Sequence, residues 1–145
     1  MKSVFLIALL FTNVTYAFSL GELLGYANDA SFDKYEQSFV QEAAKHGITG
    51  LRKARIYFGE TFGKDDVAEG PPGSAVERPT VIVDEKYWNT LSDSSKELLI
   101  FHELGHALLH ENHQPGIMEH ILLKREYYEA HREELLNQFF KNAQP

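Results

Sequence analysis

The sequence of 145 residues contains no cysteine. No disulfide can brace the fold, no thiolate can act as a nucleophile, and any bound metal must be held by histidine or carboxylate. Positive charge is also short: 14 Lys and Arg stand against 21 Asp and Glu, for a formal net charge of -7. Phosphate backbones are bound by clustered cations, so this balance argues against nucleic acid as a partner. Long apolar runs are missing too. Residues 4–11 are uninterrupted apolar sequence, far short of the roughly 20 residues that a spanning helix needs.

Apolar material is nevertheless ample for one core, at 43% hydrophobic and 12% aromatic residues, and the length is that of one domain, usually about 100–200 residues. No internal repeat and no second domain is visible. Lys2, the short apolar run at 4–11, and Thr15-Tyr16-Ala17 as a small-x-small site together read as a signal peptide over residues 1–17. The expected mature domain is 18–145, beginning at Phe18. It would be secreted or periplasmic, with no stable membrane insertion after cleavage.

Along that domain, residues 31–45 place Phe32, Tyr35, Phe39, Val40 and Ala43 on one side of a 3.6-residue period, which predicts an amphipathic helix. Gly47 and Gly50 supply left-handed positions to stop it. Residues 54–58 read as a short strand, and residues 80–83, a β-branched run after Pro79, as another. Between them, 59–79 is rich in Gly, Pro, Asp and Glu around Gly70-Pro71-Pro72-Gly73 and reads as a surface loop. Tyr87 and Trp88 are expected in the core or a cleft. Ser92, Asp93 and Ser94 offer caps for a helix that enters the apolar stretch from Leu98 to Phe101. A final helix is expected over 119–141, with Ile121, Leu122, Leu135, Leu136, Phe139 and Phe140 on its apolar side.

The second of these helices carries the chemistry. His102-Glu103-Leu104-Gly105-His106 is an H-E-x-x-H motif, in which histidines four residues apart share one helical face and can converge on one ion. The motif lies between apolar residues, so its polar groups are expected to be buried, and buried His and Glu need partners. Six of the seven histidines fall between His102 and His131. Glu103, next to the first ligand, would be the general base that takes a proton from a zinc-bound water as it attacks a peptide carbonyl.

A catalytic zinc normally takes three protein ligands and leaves one position open. His113 is the first candidate for the third, provided the helix ends near Glu111 or Asn112 and turns back, with Asn112 suited to a left-handed turn. On a straight helix it would rise about 10 Å above His106 and miss the ion. Glu126, delivered by the following helix, is the alternative, and His110 is a further one.

The pattern resembles secreted bacterial metzincin-like metallopeptidases, which carry H-E-L-G-H, a third His seven residues later and then a Met-turn. Here the matching residues are His102-Glu103-Leu104-Gly105-His106, His113 and Gly116-Ile117-Met118. The resemblance extends upstream through residues 38–43, Gly47-Ile48, Val81-Ile82-Val83 and Tyr87-Trp88. It implies zinc ligation by His102, His106 and His113, general-base work by Glu103, and Met118 as an apolar floor. Where the common metzincin pattern has Gly three residues after the second His and its ligand three further on, this chain has Leu109 and Asn112. A second resemblance, to cytosolic zinc peptidases that cleave phage-type repressors, would favour Glu126, although Glu126-Tyr127-Tyr128-Glu129-Ala130-His131 departs from their Glu-x-x-Ala-Asn pattern.

The expected fold is α+β, a minimal zincin-like single domain: a small mixed sheet with an N-terminal helix, an active-site helix and a C-terminal helix. The resemblance implies that the strand at 80–83 borders the cleft and holds an extended peptide by strand addition. The expected activity is zinc-dependent peptide-bond hydrolysis on a peptide or protein substrate. Tyr127, Tyr128 and His120 are the candidates for stabilising the oxyanion. The competing classes are a gluzincin-type peptidase using Glu126 and a non-catalytic zinc-stabilised binding protein, in which His102, His106, His113 and a carboxylate would close the site.

Overall fold

The computed structural model describes residues 29–60, 68–69 and 79–143. The signal peptide expected at 1–17 and the mature start expected at Phe18 lie outside the described residues. The chain opens with a 3-10 turn, Ala30–Phe32, whose cap is Asp29, and continues into helix α1, Asp33–Lys45. The expected period is realised by Phe32, Tyr35, Phe39 and Ala43, all buried, whereas Val40 is 44% exposed and points away from the core. Val40 lies one position beyond Phe39, about 100° further round the helix, which is enough to leave the buried stripe. The helix stops where foreseen: Gly47 and Gly50 have φ of 81° and 74°, conformations open to glycine and strained for other residues.

Strands β1 (Arg55–Phe58), β2 (Ala68–Glu69) and β3 (Thr80–Val83) form a mixed sheet in the order β1-β3-β2. β1 and β3 are parallel, pairing Arg55 with Thr80 and Phe58 with Val83, and β2 runs antiparallel to β3, pairing Ala68 with Val83 and Glu69 with Ile82. Two expectations change here. Residues 68–69 form a strand inside the stretch read as loop; pairing through backbone alone leaves no side-chain alternation in two residues to signal it. Moreover β3 is the central strand, bordered by β1 along its length and by β2 at Ile82 and Val83, so it offers no free edge at those positions for an added peptide.

A short helix α2 (Glu85–Trp88) follows, capped by the Asp84 side chain, which accepts from the Tyr87 N–H at 2.7 Å. It seats Trp88 among Phe32, Tyr35 and Phe58, with ring centroids 4.8, 5.4 and 6.1 Å away. Helix α3 (Asp93–Leu109) starts at Ser92, whose hydroxyl accepts from the Ser95 N–H; Asp93 instead pairs with Lys34 and Tyr35. Its residues from Leu98 to Gly105 are all buried, since α1, the sheet and the last helix cover them. At full burial each such Leu, Ile or Phe stabilises by about 1.5–3 kcal/mol.

Helix α4 (Arg125–Asn142) begins six residues later than expected. The missing turn is held elsewhere: the Glu119 N–H donates to the Gly116 carbonyl, and the His120 ring stacks on His113. Helices α1, α3 and α4 meet through Phe39, Phe101, Phe139 and Phe140. They meet again through a charged knot. Arg132 donates to both oxygens of Glu97 at 2.8 Å, while Tyr128 and Ser38 hydroxyls donate to the same carboxylate at 2.9 and 3.2 Å. Among the described residues no helix is long and apolar enough to cross a membrane. The architecture is α+β, as expected.

Candidate metal centre

His102 and His106 lie one turn apart on α3, and their Nε2 atoms are 3.2 Å from each other. Helix α3 ends at Leu109 because His110 takes a left-handed conformation, φ 58° and ψ 29°. The amides of His110 and Glu111 both turn back to the Gly105 carbonyl. That reversal brings the His113 Nε2 within 3.3 Å of the His106 Nε2. The turn on which the third ligand depended is therefore made, one or two residues earlier than foreseen, by His110 instead of Asn112. Histidine is among the few residues with a side chain that enter this region with any frequency.

Among the described residues, His102, His106 and His113 are the one group of His and carboxylate side chains arranged to hold an ion, with ligand atoms all within 4.8 Å. The chemistry of the donors fits zinc. Two nitrogens on a tetrahedral zinc, each at about 2.05 Å, stand about 3.3–3.4 Å apart. The two Nε2 separations at His106 are 3.2 and 3.3 Å.

Hydrogen bonds behind the rings set which nitrogen faces inward. The His102 Nδ1–H donates to the Ile117 carbonyl at 2.9 Å and the His106 Nδ1–H to the Glu111 carbonyl at 2.6 Å. A carbonyl only accepts, so in the neutral rings Nδ1 carries the proton and Nε2 keeps its lone pair for a cation. Burial pushes the His102 pKa down to about 4, against an opposing pull from the Ile117 carbonyl, and neighbouring His106, His113 and His120 lower it further. Burial, with His120 and His106 nearby, also lowers His113. Neutral imidazole is the form that binds metal.

Glu103 is buried on α3, directly after His102 and three residues before His106. Gly105, between His102 and His106, is tightly covered. A Cβ there would lie 2.6 Å from the Met118 Sδ and 3.1 Å from the Phe139 ring. Met118 thus packs on the helix backbone beside His106, and the next residue back in its turn, Ile117, supplies the acceptor for His102.

The remaining candidates are placed elsewhere. Glu126 is exposed in the first turn of α4, paired with Arg125 at 2.7 Å, and is not among the converging side chains. His110 is exposed at the helix end. The Tyr128 hydroxyl is buried on Glu97, and burial followed by that carboxylate pushes its pKa well up. Tyr127 stacks on His131 at 4.3 Å. Of the three oxyanion candidates only His120 touches the site, its ring stacked on His113 at 3.7 Å.

Sequence reasoning missed the Ile117 and Glu111 carbonyls and the packing role of Gly105. Every residue has a carbonyl, so residue type carries no signal for the first two. Compared with known proteins, the chain matches no family, no curated protein and no solved structure.

Proposed function

We propose that this chain is a zinc-dependent metallopeptidase that hydrolyses peptide bonds, with His102, His106 and His113 as ligands and Glu103 as general base. The convergence of three imidazoles, with the His106 Nε2 at 3.2 and 3.3 Å from those of His102 and His113, carries the reading. A zinc ion there supplies Lewis acidity to the scissile carbonyl and to the attacking water. Glu103 takes the proton from that water and returns it to the leaving amine, work suited to a buried carboxylate beside a ligand. His120, stacked on His113, is assigned to the developing oxyanion. The reading includes export directed by residues 1–17, and kinship with metzincin-like peptidases on the strength of the H-E-L-G-H motif, His113 and Met118.

Three ligands favour an enzyme over a zinc-stabilised binding domain, because closed structural sites take four and catalytic ones keep a position open. The gluzincin alternative needs Glu126, which is engaged by Arg125 at the surface. The test is bound zinc and cleavage of a mixed peptide pool by the purified protein and by Glu103→Gln. One equivalent of zinc in both, with cleavage by the wild type alone, is the expected result. Zinc without cleavage in either would move the protein to the binding class, and a wild type that takes up no zinc would end both readings.

A further inference from the structure

Residues 110–119 do more than deliver His113. The two carbonyls that orient the helix histidines lie in two separate limbs of this segment: Glu111, before the ligand, accepts from His106, and Ile117, after it, accepts from His102. Metal affinity depends on the relative placement of those carbonyls, since each fixes a ring and its tautomer. Gln114 links the limbs. Its side-chain Nε2–H donates to the Glu111 carboxylate at 2.7 Å, and its backbone N–H donates to the Met118 carbonyl at 3.1 Å. It also follows His113 directly.

We infer that Gln114 is a positioning residue for the metal centre: by clasping Glu111 with its side chain and Met118 with its backbone, it holds both ring-orienting carbonyls and the third ligand in one arrangement. The inference rests on the reading of the three histidines as a metal site. Glu111 is anchored at three points, its N–H on the Gly105 carbonyl, its carbonyl on His106 and its carboxylate on Gln114. The last of these restrains the side chain of the residue whose backbone orients His106. Losing it frees that residue to rotate, and the His106 ring with it. Any side chain except proline keeps the backbone half of the clasp, so substitution isolates the side-chain half.

The experiment measures Zn²⁺ affinity by competition with a chromogenic chelator, and the visible spectrum of the Co²⁺-loaded protein, for wild type, Gln114→Ala, Gln114→Glu and the exchanged pair Glu111→Gln with Gln114→Glu. Gln114→Ala is expected to weaken zinc by about 10–100-fold, as lost ring-orienting partners do, and to change the cobalt spectrum. Gln114→Glu, which sets carboxylate against carboxylate, is expected to weaken it at least as much. The exchanged pair rebuilds the bond with donor and acceptor reversed and is expected to recover the wild-type affinity and spectrum. Wild-type affinity and spectrum in Gln114→Ala, or no recovery in the exchanged pair, overturns the inference. A wild type that binds no zinc removes the metal reading and this inference together, whereas zinc bound equally by wild type and Gln114→Ala removes the inference alone.

Discussion

The Nδ1 of His102 and the carbonyl oxygen of Ile117, fifteen residues apart in sequence, meet at 2.9 Å. One is on the buried helix and the other in the turn before Met118, so the first histidine of the motif is oriented by backbone that arrives only after the chain has reversed at His110 and passed His113. Ligand, turn and second ring therefore form one unit, and its parts are open to separate tests.

The ligand set comes first. His113→Ala removes one of the three converging nitrogens and is expected to weaken zinc by more than about 100-fold, beyond what loss of an outer partner costs, and to abolish cleavage. Glu126→Ala, which breaks only an exposed pair with Arg125, is expected to change neither. The reverse pattern in metal analysis would transfer the third position to Glu126.

Acid is expected to destabilise the metal-free protein through His102. Its folded pKa of about 4 lies below the unfolded value of 6.5, so the unfolded chain binds more protons between those limits. The contribution is fully present above 6.5 and is lost as pH falls toward 4, up to about 3 kcal/mol in all. Urea unfolding of chelator-treated protein should therefore show stability falling from about pH 7 to about pH 5, and His102→Gln should flatten the slope. A wild-type slope no steeper than that of the variant would contradict the assignment.

Gly105→Ala tests the packing beneath the ligands. Alanine favours the helix by up to about 1 kcal/mol, but the added methyl meets the Met118 sulfur and the Phe139 ring, and overpacking costs about 1–3 kcal/mol. Two-sided contact with buried side chains makes the second effect win. The expected result is a lower Tm with weaker zinc binding, because displacing Met118 disturbs Ile117 beside it. Met118→Ala should lower Tm by less in the Gly105→Ala background than in the wild type, because there it also relieves the crowding; an unchanged Tm in Gly105→Ala itself would refute the crowding.

The charged knot should matter for stability and not for metal. Burial alone would raise the Glu97 carboxyl, but the Arg132 guanidinium and the Tyr128 hydroxyl outweigh it and hold the group below its ordinary range. Arg132→Ala leaves that carboxylate without its cation and is expected to cost roughly 2–3 kcal/mol, a little under a fully buried pair because Arg132 is partly exposed. Zinc affinity of the folded variant should match the wild type. A shift in affinity would mean that the knot reaches the site.

His120→Ala addresses the oxyanion. Zinc should be retained, while kcat falls about 100-fold, the usual scale for losing one donor. An unchanged kcat would reduce His120 to a ring packed on His113.

The elements that sequence rendered legible are those whose signal is local. The α1 stripe of Phe32, Tyr35, Phe39 and Ala43 follows from helical period, the stops at Gly47 and Gly50 from backbone sterics, and the pairing of His102 with His106 from four-residue spacing. Where a signal needed partners distant in the chain, the reading shifted. β2 has two residues and is defined by hydrogen bonds to β3, and the first turn expected of α4 is taken by contacts to Gly116 and His113.

The site divides along the same line. Sequence by itself determined that a metal ion, if held, must be held by histidine or carboxylate, and that two histidines would share a face beside Glu103, because composition and helical geometry allow nothing else. Tertiary structure decided which third side chain lies beside them. His113, His110 and Glu126 were each reachable in principle, and the choice fell to a left-handed residue at His110 that aims the chain back toward the helix. Only folding also chose the carbonyls of Ile117 and Glu111 as acceptors, since a group that every residue possesses acquires meaning only from what it faces.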